Sequence, residues 1–169
     1  LTQCLKDNEN TPMINRAFLS YSVGSTFKVV TAAAALEEGI SLTESYNCTG
    51  QIDVGGQIFR CHKRSGHGEV DMVDGMMKSC NPYFIHLGQM AGGEKLLKMA
   101  ERFGFGDRVT LSEGMTVSGG TLPTLSQLQS PAAVANLSFG QGTFSASPVQ
   151  ICRMMAAVVN GGKLVTPKL

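Results

Sequence analysis

Apolar residues gather along this chain in runs long enough for helices, with one stretch that alternates instead. Residues 25–38 are apolar on nearly every side, with Phe27, Val30, Ala33 and Leu36 at helical spacing and Gly39 as the stop. A helix this apolar belongs inside a core rather than on a surface. Residues 46–61, YNCTGQIDVGGQIFRC, alternate on either side of Gly55-Gly56, which predicts a hairpin. Helical patterning returns over 69–78, breaks at Ser79-Cys80-Asn81-Pro82, and resumes over 83–91. Further helices are predicted over 94–103, stopped by Gly104, from the Ser130-Pro131 cap to Leu137, and over Pro148–Val159 before Asn160-Gly161-Gly162. Residues 1–21, 106–128 and the glycine-rich SFGQGTFSAS read as loops. The prediction is a mainly α chain with a small β-hairpin and no internal repeat.

Composition narrows the picture. With 169 residues, 43% of them hydrophobic and 16% charged, the chain is one domain or a piece of one, with enough apolar surface for a core. A net charge of +1 without a basic cluster leaves no electrostatic footprint for nucleic acid. No apolar run reaches the roughly 18 residues of a membrane span, and no signal peptide is expected within these residues. The chain starts at Leu1 rather than Met, so it is expected to be a segment of a longer protein. Five cysteines, an odd number in no dense framework, do not fix the redox compartment.

Candidate chemistry begins with Ser25-Thr26-Phe27-Lys28. The plain reading is a helix N-cap serine and an exposed first-turn lysine. With 14 serines and 8 lysines, about one S-x-x-K tetrad arises by chance, so the spacing alone decides nothing. At the head of a buried helix, however, residues i and i+3 share a face, and the Lys28 amine can approach the Ser25 hydroxyl. A serine becomes a nucleophile when a neighbouring base takes its proton. A lysine serves as that base once desolvation lowers its pKa, and the valines and alanines that follow supply an apolar wall. The helix N-terminus adds backbone N–H groups that suit a developing oxyanion. Further on, Ser79 and Asn81 stand two apart, with Pro82 expected to keep Asn81 extended. Ser79 suits a proton relay and Asn81 a hold on a substrate amide or on the lysine; the plain alternative is a capping serine and a turn asparagine.

The stretches NRAFLSYSVGSTFKVVTAAAALEEG, SCNPYFIHLGQMAG, RFGFGD and ANLSFGQGTFSASPVQICRMMAAVVNGGKLVTPKL, in that order, resemble the transpeptidase domain of penicillin-binding proteins, closest to the class B, high-molecular-weight type. S-x-x-K, an S-x-N element and K-T-G mark that group. The resemblance implies that Ser25 is the acylated nucleophile, Lys28 its base, and Ser79 and Asn81 the second motif. It implies peptidoglycan D,D-transpeptidation on D-Ala-D-Ala stem peptides, β-lactam binding, and no metal or organic cofactor. A membrane-anchored parent at the outer face of the bacterial cytoplasmic membrane follows from it too. So do partners such as a glycosyltransferase and divisome, elongasome or sporulation proteins. Val23 replaces the usual proline before Gly24-Ser25, and Cys80 fills the middle of the second motif. No K-T-G or K-S-G occurs in the 169 residues. Residues 1–169 are therefore expected to be the helical portion of an α+β β-lactamase/transpeptidase-like fold, lacking most of the central sheet and weak in activity alone. Two rivals remain: a non-catalytic penicillin-binding-like sensor or binding module, and a serine β-lactamase, for which Glu113 is the candidate deacylating group.

Several other residues carry expectations. Cys48 and Cys61 flank the hairpin, either bridged or as two buried thiols, and with His62 and His67 they form a Cys/His group of loosely zinc-like spacing without C-x-x-C pairing. GHG at 66–68 is expected to shape a turn, and SFGQG to be a tight structural turn on the active-site side. His86 reads as a satisfied core histidine. Met72, Met76, Met77, Met90, Met99, Met154 and Met155 read as core filler.

Overall fold

The computed structural model of the chain describes residue 6 and residues 9–168; Cys4 and most of the predicted first loop segment up to residue 8 lie outside them. From residue 9 to Ser20 the chain runs through turns and bends, and Tyr21 forms an antiparallel bridge with Ala146. A 3-10 turn, Gly24–Phe27, then leads without a break into α1, Lys28–Glu37. The alanine run favours the helix. Its end closes with Gly39 N–H donating to Leu36 O and Ile40 N–H to Ala35 O, the paired bonds of a left-handed glycine stop.

Among the described residues, three two-stranded antiparallel sheets sit around the helices. β2 (Gln51–Val54) and β3 (Gln57–Arg60) form the predicted hairpin about Gly55-Gly56. β1 (Tyr46–Cys48) pairs with β4 (Gly68–Val70). Residues 69 and 70 are therefore strand, and helix α2 covers only Met72–Met77, capped by the Asp71 side chain accepting from Asp74 N–H. Residues 106–128 are not all loop: β5 (Val109–Ser112) and β6 (Met115–Val117) form a second hairpin, and Leu125–Leu128 make a 3-10 turn. Its inward residues Val109, Leu111 and Val117 pack on Phe18 and Val149.

Helix α3 spans Asn81–Ala91 and α4 spans Gly93–Arg102. Helix α5, Pro131–Ser138, starts from the Ser130 cap, and α6, Pro148–Val159, from a reciprocal cap between Ser147 and Gln150. The largest core cluster joins Phe27, Val30 and Ala34 of the first helical stretch to Leu96, Met99 and Ala100 of α4, Leu137 of α5 and Met154 of α6. Phe144 lies at its centre, edge-on to Phe27 at 4.6 Å and to Phe105 at 5.3 Å between ring centroids. A second cluster packs Ala32 and Ala35 against Tyr83, Phe84 and Leu87 of α3 and the three buried cysteines Cys48, Cys61 and Cys80.

Only part of the expected methionine filling is internal. Met72, Met99 and Met154 are buried, whereas Met76, Met77, Met90 and Met155 face outward. They lie on the solvent faces of short helices whose other sides already fill the core. His86 is half-buried rather than internal, with Nε2 3.2 Å from Glu44 Oε1 and its ring against Tyr46. Among the described residues no helix is long and apolar enough to cross a membrane.

Candidate active site

Ser25 sits in the 3-10 turn, exposed, and it does not cap the helix. The cap position is Val23, with no side-chain cap bond. Three residues on, Lys28 is 1% exposed, buried among the apolar residues that flank it. In a 3-10 turn residues i and i+3 eclipse one another, and Lys28 Nζ lies 3.1 Å from Ser25 Oγ. The glycine-rich SFGQG stretch braces this turn. Gly24 N–H donates to Gly140 O at 3.1 Å, and a Cβ on Gly140, whose φ is +75°, would lie 2.1 Å from Gly24 O. Only glycine lets the two backbones meet there.

Ser79 and Asn81 reach the same amine from the α2–α3 junction. Lys28 Nζ donates to Ser79 O at 2.7 Å and to Asn81 Oδ1 at 2.7 Å, and lies 2.8 Å from Ser79 Oγ. Ser79 has φ +48°, a left-handed backbone for a residue that is not glycine. That conformation closes α2, with Ser79 N–H donating to Met76 O and Cys80 N–H to Gly75 O. It also turns both the carbonyl and the hydroxyl of Ser79 onto the lysine. Asn81 is the first residue of α3, not an extended loop residue; the extended residue is Cys80, with ψ 110°. The helix start suits Pro82, which needs no intrahelical N–H bond in the first turn. Asn81 Nδ2 donates to Arg60 O at the end of β3 at 3.3 Å, which fixes the direction of its amide.

Burial lowers the Lys28 pKa from 10.5 to about 8, against a smaller opposing pull from Cys80 and Cys61. The partners matter as much. Ser79 O and Asn81 Oδ1 can only accept, so they take both N–H bonds of a neutral amine, and its lone pair is left for a hydroxyl. All four residues singled out in the sequence thus meet at one nitrogen. Sequence reasoning missed the Arg60 carbonyl and the Phe84 ring, whose centroid is 5.7 Å from Nζ. The hairpin places the first; the second lies three residues beyond Asn81 on α3, a helical spacing that the sequence already contained.

Beside this site, Cys48, Cys61 and Cys80 are buried free thiols, so the bridged alternative for Cys48 and Cys61 is not the arrangement found. Their sulfurs and a ring nitrogen of His67 lie within 4.8 Å of one another; Cys80 takes the place that the sequence reading gave to His62. Glu113 is exposed in the turn between β5 and β6.

Residues 3–169 match the family described as penicillin binding protein transpeptidase domain. The chain is 39% identical over 165 residues to stage V sporulation protein D of Bacillus subtilis, covering 95% of this chain and 24% of that protein. It is 32% identical over 173 residues to the peptidoglycan D,D-transpeptidase PbpA of Mycobacterium tuberculosis, covering 99% of this chain and 34% of the relative. Among solved structures it resembles penicillin-binding protein A of M. tuberculosis in its penicillin G acyl-enzyme complex, with TM-score 0.88, 30% identity, and coverage of 99% of this chain and 39% of that one. Helicobacter pylori PBP2, solved in complex with MreC, matches with TM-score 0.87 and 28% identity over 99% of this chain and 33% of that one. The chain therefore spans about a quarter to two fifths of the length of these proteins, and it belongs to the penicillin-binding protein transpeptidase family.

Proposed function

We propose that this chain is the helical portion of a peptidoglycan D,D-transpeptidase domain, without most of its central sheet, and that it carries the acylating serine. Ser25 Oγ attacks the carbonyl of the penultimate D-alanine of a stem peptide while Lys28 Nζ accepts its proton. The terminal D-alanine leaves as the amine, taking a proton back through Lys28 or the Ser79 hydroxyl. An amine from a neighbouring stem peptide then attacks the ester, forms the cross-link and frees Ser25. β-Lactams acylate the same oxygen. Asn81 holds Lys28 in line through its Oδ1.

One observation carries this reading: a buried amine with two accept-only partners, its remaining valence facing the hydroxyls of Ser25 and Ser79. The D,D-transpeptidase names of relatives and the acyl-enzyme complex of a structural neighbour support it. Action at the outer face of the cytoplasmic membrane, within a wall-building assembly, follows from the same kinship, one neighbour having been solved with MreC. Glu113, exposed on a distant hairpin turn in the sequence, offers no support for a β-lactamase, so acyl transfer to an amine is preferred.

The test is acylation by a fluorescent penicillin, read in a gel and as a mass shift on the peptide containing Ser25. Removing one oxyanion donor costs about a hundredfold to a thousandfold in rate, and the 169 residues contain no K-T-G strand to supply the second. This chain is therefore expected to label slowly, and a longer chain that includes K-T-G to label readily. Labelling that survives Ser25→Ala in the longer chain would overturn the assignment.

A further inference from the structure

Three sulfurs and an imidazole converge directly beneath the second motif. The donor atoms of Cys48, Cys61, His67 and Cys80 all lie within 4.8 Å of one another, and Cys61 Sγ is 3.5 Å from His67 Nδ1. The cysteines are 1%, 1% and 0% exposed. A tetrahedral ion with metal–sulfur bonds of about 2.3 Å sets its ligands about 3.8 Å apart, so small side-chain rotations bring the four donors onto one centre.

These residues come from four separate places: the end of β1, the residue after β3, the loop before β4, and the α2–α3 junction. The backbone is shaped to gather them. A Cβ on Gly66, at φ +79°, would lie 2.0 Å from Cys48 O, and one on Gly50, at φ +96°, would lie 2.1 Å from Arg64 O. The loop of residues 62–67 is thus pressed onto the end of β1 at a distance only glycine permits. Cys61 N–H donates to Gly50 O at 2.9 Å, and the backbone N–H groups of His67 and Gly50 point at the Cys48 sulfur. Cysteines used only as small core hydrophobes need neither a polar ring nitrogen among them nor N–H groups aimed at sulfur.

We propose that Cys48, Cys61, His67 and Cys80 bind one zinc ion as a closed structural Cys3His site. Thiolates and imidazole select a soft, tetrahedral cation over magnesium or calcium. On binding, the three thiols give their protons to solvent and the imidazole binds in its neutral form. His62, exposed and with Nδ1 3.9 Å from Cys61 Sγ, stays outside the set.

The position of the site gives the ion a task that rests on the function proposed above. Cys80 lies between Ser79 and Asn81, and Cys61 follows Arg60, whose carbonyl accepts from Asn81 Nδ2. An ion holding both sulfurs ties together the two backbone segments joined by the Asn81–Arg60 hydrogen bond, the last link of the chain that runs from Lys28 through Asn81 to Arg60. Zinc is thereby a positioning element for the second motif and takes no part in the acyl transfer.

The test starts from the 169-residue chain purified with reductant, freed of metal with a chelator and titrated with cobalt(II). The expected result is saturation at one equivalent, with the visible bands and thiolate charge-transfer absorption of a tetrahedral thiolate site, both lost when zinc is added. His62→Ala is expected to bind as the unaltered chain does, and His67→Ala at least roughly tenfold more weakly. His67 is only half-buried, so its variant carries the test if Cys80→Ser fails to fold. Absence of thiolate charge transfer, or equal affinity of His67→Ala and the unaltered chain, would overturn the site. Backbone hydrogen exchange over residues 78–84 then reads the positioning role: zinc is expected to slow it, and unchanged exchange with the ion bound would overturn that role. Neither readout needs acylation, so failure here is distinct from failure to label Ser25.

Discussion

Ser79 holds a backbone shape that glycine adopts freely and serine does not, and in doing so aims two oxygens at one amine. A left-handed residue of this kind costs about 1 kcal/mol. Ser79→Gly is accordingly expected to raise stability in urea denaturation by up to about 1 kcal/mol while slowing acylation of the longer chain through loss of the hydroxyl. A loss of stability would show that the hydroxyl contributes more to folding than the backbone strain removes. Lys28 carries a second prediction at this scale. Only the neutral amine can take the Ser25 proton, and burial brings its pKa to about 8. Below that pH the neutral fraction falls about tenfold per unit; above it the fraction levels off. Penicillin acylation rates are therefore expected to rise with pH and flatten above about 8, and a profile flat from pH 6 to 9 would exclude Lys28 as the base. Ser25, Lys28, Ser79 and Asn81 were legible because each belongs to a short-range pattern. The Arg60 carbonyl was not, because any residue presents a carbonyl and only the fold selects which one is used.

Elements follow the sequence where their patterns are long and local. The α1, α4, α5 and α6 helices lie within a few residues of their predicted spans, each with a recognisable stop or cap. The misses share a cause. Gly68-Glu69-Val70 became strand because it pairs with Tyr46-Asn47-Cys48, a partner far along the chain, and a three-residue strand has too little periodicity to declare itself. The hairpin at 109–117 alternates about Glu113-Gly114, but its neighbours rich in Gly, Ser, Thr and Pro obscured it. SFGQG, in contrast, is the tight turn that its glycines implied, and it braces the 3-10 turn that holds Ser25. Gly140→Ala is expected to force Gly24 away and destabilise the chain by about 1–3 kcal/mol, with a lower urea midpoint. An unchanged midpoint would mean that this contact can relax without cost.

At the scale of the whole molecule, the Lys28 amine is dry only while the small β-layer formed by β1–β4, α3 and the first helical turn stay closed together. Buried thiols line that same junction, and Cys152 on α6 is exposed. In chelator, a thiol reagent is expected to modify Cys152 at once among the four described cysteines, and Cys48, Cys61 and Cys80 only as fast as the layer opens. When opening and reclosing are fast, the slow rate divided by that of an unfolded cysteine equals the fraction of molecules open. The measurement would fail if all four reacted together. If it succeeds, the three sulfurs serve as a built-in gauge: peptide-resolved alkylation of Cys80 converts directly into the free energy that keeps water away from Lys28.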